Sequence, residues 1–249
     1  TPSTAAPYTT GKVKASALQA AADRLNALRR IAGLPAVTLD LSLCENAQYG
    51  AVIQAANGSL DHYPDQPAGM GDSFYQQAKS ASASSNLAAG HTLTGAVDAF
   101  MDDSDASNIA TLGHRRWQLN PTLGKVGFGY AVSGRGYSRY VAEKVFDRSG
   151  AGCDYDFIGW PASGSFPAQL FDGDTAWSVT LNPTAYQTAV KSALTVTLTR
   201  KADGRTWTFS SRGSDGFFNV TSSGYGEGYC VIFRPEGVDA YEGTYTVRI

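Results

Sequence analysis

Charged residues are scarce in this sequence. They make up 17% of its 249 residues, and 20 Lys and Arg are nearly balanced by 22 Asp and Glu. A nucleic acid backbone or an anionic membrane is attracted by an excess of positive charge, which this chain lacks. Nucleic acid is therefore not an expected partner. The 43% apolar content is enough to fill at least one core, so a folded protein is expected.

Long hydrophobic runs are also missing. No stretch approaches the ~20 apolar residues of a membrane-spanning helix, so no transmembrane segment is expected. Residues 1–11, TPSTAAPYTTG, are small and polar and predict a flexible leader without the basic start and apolar core of a secretory signal. Two interpretations fit: a cytoplasmic protein, or a secreted protein numbered after signal removal. We favour the second.

Cysteines are few, and their spacing excludes common metal motifs. Cys44, Cys153 and Cys230 form no CxxC pair and are too few for a disulfide scaffold. One interpretation is a single bridge between Cys153 and Cys230, with Cys44 buried in a helix. The other is three reduced cysteines in the core.

Helical periodicity is confined to the first half of the chain. Apolar residues recur at steps of three and four over residues 14–32, 42–56 and 94–103, which predicts three helices. Residues 64–85 are rich in Gly, Pro, Ser and Ala and predict mostly loop, with one short helix at 74–79.

The pattern changes to a two-residue period after Lys125. Residues 125–147 predict a hairpin of two strands, and beyond Gly150 short strand patterns alternate with turns. The strongest hairpin has Asp203 and Gly204 at its turn. Recurring short strands predict an antiparallel sandwich, so we expect one domain over residues 12–150 and a β-sandwich domain over residues 151–249.

All three histidines lie between residues 62 and 114, which suggests a site. His62 and His114 both lie outside apolar helical faces, and two imidazoles could hold a divalent metal such as zinc. No HExxH motif is present, so a zincin mechanism is not expected. Asp103 falls on the inward face of the third predicted helix. A buried carboxylate needs a cation, a donor or a metal, and His114 is a candidate; alternatively, Asp103 caps the next turn.

Other motifs for chemistry are weak or missing. Arg115 and Arg116 beside Trp117 could bind an anion, but we interpret them as packed stems with solvated heads. The sequence has no GxSxG elbow, no GxGxxG and no Walker loop. Classical serine hydrolases and nucleotide enzymes are therefore not expected.

Several ordered segments together resemble the CAP superfamily, the SCP/PR-1-like proteins. They are RLNALRRIAGLPAVTLDLSLCENAQYGAVIQAANGSLDHYP, SNLAAG, AVDAFMDDS and GHRRWQLNPTLGKVGFGYA, which lie within residues 12–148. The resemblance implies an α-β-α sandwich with an open cleft, usually secreted. With the predicted strands of the second half, the expected class is α+β, a CAP-type α-β-α sandwich followed by an all-β sandwich.

The resemblance also implies a set of cleft residues. CAP proteins typically place two histidines and two acidic residues there, and several hold a divalent cation. The histidines match His62 and His114, and one acidic position matches Asp103. The other acidic residue normally lies in a Gly-Glu-Asn triplet, which here reads Ser84-Ser85-Asn86, so Ser85 replaces the carboxylate. This loss weakens the charge complement for a cation. His91 is not a family position.

The second half resembles C-terminal extensions of CAP proteins secreted by Gram-positive bacteria. The leading hypothesis is a secreted protein whose cleft, at His62, Ser85, Asp103 and His114, binds a small apolar or peptide-like ligand or a component of the cell envelope. One alternative is a peptidase or esterase that uses a metal or a general base at His62 and His114. Another is an adhesive module that acts through the β-sandwich. Whether the protein is an enzyme, and its oligomeric state, stay open.

Overall fold

The chain forms two compact units that interleave along the sequence. The computed structural model describes residues 1–186, 189–222 and 224–249. Unit 1 consists of residues 1–30, 34–101 and 120–153, and unit 2 of residues 31–33, 102–119 and 154–249. The two domains expected from the sequence, in contrast, follow one another along the chain. Residues 102–119 thus belong to the same unit as the C-terminal strands.

Within the described residues there are five α-helices and twelve strands. The helices are α1 (Ala15–Ile31), α2 (Leu41–Asn57), α3 (Asp72–Ala83), α4 (Leu93–Asp102) and α5 (Gly113–Gln118). The strands are β1 (Thr38–Leu39), β2 (Asn86–Ala89), β3 (Lys125–Val132), β4 (Arg139–Lys144), β5 (Phe157–Trp160), β6 (Trp177–Leu181), β7 (Thr195–Arg200), β8 (Thr206–Ser210), β9 (Gly213–Ser214), β10 (Gly216–Thr221), β11 (Cys230–Pro235) and β12 (Tyr245–Arg248). None of the described helices combines the length and the apolar character needed to cross a membrane.

The sheet of unit 1 is covered by α2 on one face. Its strand order is β1-β3-β4-β2, with β1 parallel to β3 and the other neighbours antiparallel. Small residues of α2, including Ala47 and Ala51, pack against Ala131 and Ala142 of the sheet. A Cβ at Gly129 would overlap the carbonyl oxygen of Ala47. The absence of side chains at the β3 glycines therefore lets helix and sheet approach closely.

The opposite face of this sheet carries α1 and α4. Tyr130 and Val132 alternate with Ala131 along β3 and line one cavity with Ala17 of α1 and Leu93 of α4. The two helices are also joined by an ion pair between Arg24 and Asp98 at 2.6 Å. Helices on both faces of one sheet make unit 1 the α-β-α sandwich that was expected, and the α+β class is confirmed.

Unit 2 contains two four-stranded antiparallel sheets. Their orders are β10-β11-β6-β5 and β12-β7-β8-β9. One core takes side chains from both sheets: Leu181, Val196, Leu198, Trp207, Phe209, Phe218, Val231, Phe233 and Val238. The predicted turn at Gly204, where φ is 75°, joins β7 to β8. Because the two sheets bury their side chains in one cluster, the described part of residues 154–249 forms a β-sandwich.

Residues 102–119 are packed into unit 2 through a second cluster. Ile109 and Leu112 lie against Ala176, Cys230 and Ile232. These contacts give the segment its own apolar anchor on the strands of unit 2.

The cysteines do not form the bridge that was one of the two interpretations. Within the described residues, which include Cys44, Cys153 and Cys230, no disulfide is present. Burial raises the pKa of the Cys44 and Cys230 thiols, which holds both in the unreactive protonated form.

The predicted flexible leader makes contacts with the rest of unit 1. A backbone bridge joins Ser3 to Thr9. The ring of Tyr8 lies 6.3 Å from that of Phe74, and its hydroxyl donates to the carbonyl oxygen of Ala68 at 3.1 Å.

Candidate functional site

Asp103 is buried, but it does not lie within a helix as expected. It follows α4 directly in the left-handed conformation, with φ 47°, which is unusual for a residue other than glycine. Its Oδ2 accepts hydrogen bonds from the backbone N–H groups of His114 at 2.9 Å and Arg115 at 3.3 Å. The carboxylate thus caps the first turn of α5 from a distance of eleven residues, where negative charge is favourable.

The same carboxylate fixes the imidazole of His114. Nδ1 of His114 lies 2.7 Å from Oδ1 of Asp103. Since a carboxylate only accepts hydrogen bonds, Nδ1 carries the proton. In the neutral ring the lone pair is then on Nε2, the arrangement that suits a general base or a ligand nitrogen. The prediction that His114 is the partner of Asp103 is consistent with this geometry.

The interpretation of Arg115 and Arg116 as stems with solvated heads is wrong. Both side chains are buried, and the guanidinium of Arg115 donates to the carbonyl oxygen of Ala176 at 2.6 Å and to Oγ of Ser178 at 3.1 Å. Burial lowers the pKa of Arg115 to about 10, and the negative charge of Asp103 opposes that shift. Arg115 is therefore a buried cation that ties α5 to β6 within unit 2.

In unit 1, His62 and Ser85 both lie at the C-terminal end of α3. His62 is exposed, and its Nδ1 donates to the carbonyl oxygen of Ser82 at 2.9 Å, which leaves Nε2 with the lone pair. Ser85 is buried, and its hydroxyl donates to the carbonyl oxygen of Ala81 at 2.7 Å. The proton of this hydroxyl is thus donated within unit 1. His91 is exposed.

The structure brings together the predicted residues in two sets. Asp103 and His114 form one hydrogen-bonded pair in unit 2, and His62 and Ser85 lie next to the same helix end in unit 1.

A buried polar pair next to Ser85 was not predicted from the sequence. Nδ2 of Asn86 on β2 donates to Oε2 of Glu143 on β4 at 3.0 Å, and both residues are directly opposite in the antiparallel ladder. Glu143 is fully buried. β4 is buried on both faces from Tyr140 to Glu143, so alternation gives no sign of an inward carboxylate, and the partner of Glu143 is 57 residues away in a strand too short to be recognised.

A cavity of about 550 Å³ lies on the α1 and α4 side of unit 1. We call it the α1–α4 cavity. Its lining residues are Thr1, Pro2, Lys12, Val13, Lys14, Ala17, Ala20, Thr92, Leu93, Thr94, Tyr130 and Val132. The walls are mainly apolar, and the charged side chains among these residues are both lysines. A volume of this size is typical of small-molecule sites.

The comparisons with known proteins agree with this architecture. Residues 22–145 match the profile of the cysteine-rich secretory protein family, CAP. The chain belongs to the CAP superfamily. The match begins within α1 and covers α2 to α5 together with the four strands of the unit 1 sheet. No curated protein matches the chain significantly.

The CAP positions supply a poor set of ligands for a metal ion. The two oxygens of Asp103 are engaged by His114 and Arg115, and the hydroxyl of Ser85 is bonded to Ala81. Among the described residues, no group of three or more His, Cys, Asp or Glu side chains is arranged to hold a metal. Zinc sites in proteins normally use at least three protein ligands. A divalent cation at His62 and His114 therefore stays a prediction.

Proposed function

We propose that this CAP protein binds a small apolar molecule with an acidic head group in the α1–α4 cavity. The observation that carries the proposal is the lining itself: apolar walls with Lys12 and Lys14 at the same cavity. A long apolar chain would cover Ala17, Ala20 and Leu93, while a carboxylate would pair with a lysine. Burial of apolar surface supplies most of the affinity at about 25 cal/mol per Å².

This proposal places the ligand away from the residues first predicted. Ser85 and Asp103 already have internal partners, so they offer little to a ligand. The cavity, in contrast, has both the volume and the charge for one. Secretion and association with the cell envelope stay part of the proposal. A zinc-dependent hydrolase at His62 and His114, and an adhesive β-sandwich, stay predictions.

Titration with a fluorescent polyunsaturated C18 fatty acid tests the proposal. We expect saturable binding at one molecule per chain. Ala20→Trp should abolish it, because Ala20 is an exposed lining residue whose replacement fills the cavity without disturbing a core. Ser16→Trp, on an exposed position of α1 outside the lining, is the matched control and should bind like the wild type.

The charge of the cavity is tested with a second ligand. The double variant Lys12→Glu, Lys14→Glu should weaken binding of the fatty acid roughly tenfold or more, an electrostatic effect of about 1.4 kcal/mol. It should leave the corresponding fatty alcohol almost unaffected. Absence of saturable binding to the wild type, or full binding by Ala20→Trp, would contradict the proposal.

A further inference from the structure

Ser84 and Lys144 form a hydrogen-bonded pair at one end of the unit 1 sheet. The Nζ of Lys144 lies within hydrogen-bond distance of Oγ of Ser84. Ser84 is the C-cap residue directly after α3, and Lys144 is the last residue of β4. The ladder between β2 and β4 ends with Asn86 opposite Glu143. Continued by one residue, this register places Ser85 opposite Lys144, and the long side chain of Lys144 reaches the neighbouring Ser84.

The hydroxyl of this pair does not belong to the triplet of the CAP pattern. Ser84 stands where the CAP triplet has glycine, and Ser85 where it has glutamate. The first of these substitutions introduces a hydroxyl, and the second removes a carboxylate next to it. A lysine close to an added hydroxyl, without that adjacent carboxylate, has a different chemistry from the usual CAP cleft.

Both partners combine partial burial with remaining solvent access. Ser84 and Lys144 are each half-buried. Burial lowers the pKa of Lys144 to about 8, from its ordinary 10.5. Glu143, the adjacent carboxylate on β4, is hydrogen-bonded to Asn86. A larger share of Lys144 side chains is therefore neutral at pH 7 than for an exposed lysine.

The hydrogen bonds of Ser84 allow it to act as a proton donor to that amine. Its Oγ lies 2.7 Å from the carbonyl oxygen of Ser80, to which the hydroxyl donates while Lys144 is an ammonium. When Lys144 is neutral, the amine has a lone pair and the hydroxyl can rotate to donate to Nζ. A serine whose proton is accepted by a desolvated lysine is an activated nucleophile.

We propose that Ser84 and Lys144 form a nucleophile and general-base pair that accepts acyl groups from small esters. Oγ of Ser84 forms a bond to the ester carbonyl carbon while Nζ takes the hydroxyl proton. The bond from that carbon to the alkoxy oxygen then breaks, and the leaving alcohol departs with the proton from Nζ. Water attacks the resulting acyl-serine, gives a proton to Nζ, and releases the carboxylic acid as the proton returns to Oγ.

This activity uses none of the residues of the α1–α4 cavity, so it stands or falls independently of the proposed function. It also differs from the metal-dependent hydrolysis predicted at His62 and His114, because it needs neither imidazole.

The test is covalent labelling of the full chain with an alkyl fluorophosphonate, in which fluoride leaves as the phosphorus bonds to a serine. We expect one adduct per chain, located at Ser84 by peptide mass mapping, and slow release of nitrophenol from p-nitrophenyl acetate. Ser84→Ala should abolish both. Lys144→Met and Lys144→Arg should each slow labelling roughly 100-fold, the usual contribution of a general base.

Two matched variants control for general effects of substitution. Ser73→Ala removes an exposed hydroxyl from the same helix, and Lys201→Met removes an exposed lysine from a turn. Both should label at the wild-type rate, as should Ala20→Trp. Lys144→Arg keeps a cation at the position, so it covers the case in which Lys144→Met does not fold. An adduct elsewhere than Ser84, or wild-type labelling of Lys144→Arg, would overturn the proposal.

Discussion

The carboxylate of Asp103 binds His114 twice, through the backbone N–H at 2.9 Å and through Nδ1 of the ring at 2.7 Å. One side chain therefore both caps α5 and orients an imidazole. Next to this pair, the cation of Arg115 is fully buried, and Asp103 supplies part of the negative charge that stabilises it. The pair therefore stabilises unit 2 and also orients an imidazole that can act as a base or as a ligand.

Removal of Asp103 should destabilise unit 2 strongly. Asp103→Ala leaves the Arg115 cation without its nearest carboxylate and the first N–H groups of α5 without an acceptor. We expect a loss of about 3–5 kcal/mol in the free energy of unfolding, measured by urea denaturation. His114→Ala should cost less, because the backbone hydrogen bonds to Asp103 remain.

The control for that series is Asp174→Ala, at an exposed aspartate of unit 2 whose side chain caps nothing. It should change the free energy of unfolding by less than about 0.5 kcal/mol. An effect of Asp103→Ala as small as that of the control would contradict the capping role.

Close packing of α2 on β3 should make Gly129 intolerant of any side chain. In Gly129→Ala the new methyl overlaps the carbonyl oxygen of Ala47, so the backbone of α2 must move. We expect a destabilisation of about 3 kcal/mol in thermal or urea unfolding, as for other overpacked cores. Gly134→Ala, at a position with no atom within 4 Å of the added carbon, should be nearly neutral. Equal effects of the two variants would show that the helix and sheet are not in contact.

Burial of Lys144 should make stability depend on pH in the alkaline range. Its pKa is about 8 in the folded protein against 10.5 when exposed, so between these values the unfolded chain binds more protons. The free energy of unfolding therefore rises as the pH increases from 8 to 10.5. The same gain is lost as the pH falls from 10.5 to 8. Below pH 8 the buried ammonium lowers the free energy of unfolding by an amount that does not change with pH.

The measurement is the difference in unfolding free energy between the wild type and Lys144→Met at a series of pH values. The free energy of unfolding of the wild type should rise relative to that of the variant across pH 8–10.5. Between pH 6 and 7.5 the difference between the two should be constant. The same comparison with Lys201→Met, at an exposed lysine, should be flat throughout. A flat profile for Lys144→Met would show that this amine is not desolvated.

The elements that sequence patterns predicted are those with strong periodicity of their own. α1, α2, α4 and the hairpin of β3 and β4 lie within a few residues of their expected bounds, because their apolar residues repeat at the period of the element. α3 was expected only over residues 74–79 and spans Asp72–Ala83, since its buried face is made of Ala78, Ala81 and Ser82, which are too small to mark a hydrophobic stripe.

The parts that were missed depend on distant partners. β2, with four residues, is held by its ladder to β4, more than 50 residues further along the chain. Arg115 is buried against acceptors 61 and 63 residues away, at Ala176 directly before β6 and at Ser178 within it. The pair of Ser84 and Lys144 has a separation of 60 residues and belongs to no spacing motif. A local sequence pattern predicts a helix or a strand. Contacts between distant residues form only when these elements pack together, so no local pattern predicts them.

The interleaved order of the two units has a consequence for synthesis on the ribosome. The last residue of unit 1 is Cys153, so the whole sandwich can emerge from the ribosome before Ala176 and Cys230, the anchors of residues 102–119, have emerged. Until then Arg115 stays in water and α5 has no surface to pack on. The nascent chain must therefore keep this central segment as an open loop, and the C-terminal half, by folding, recruits residues that were synthesised long before it.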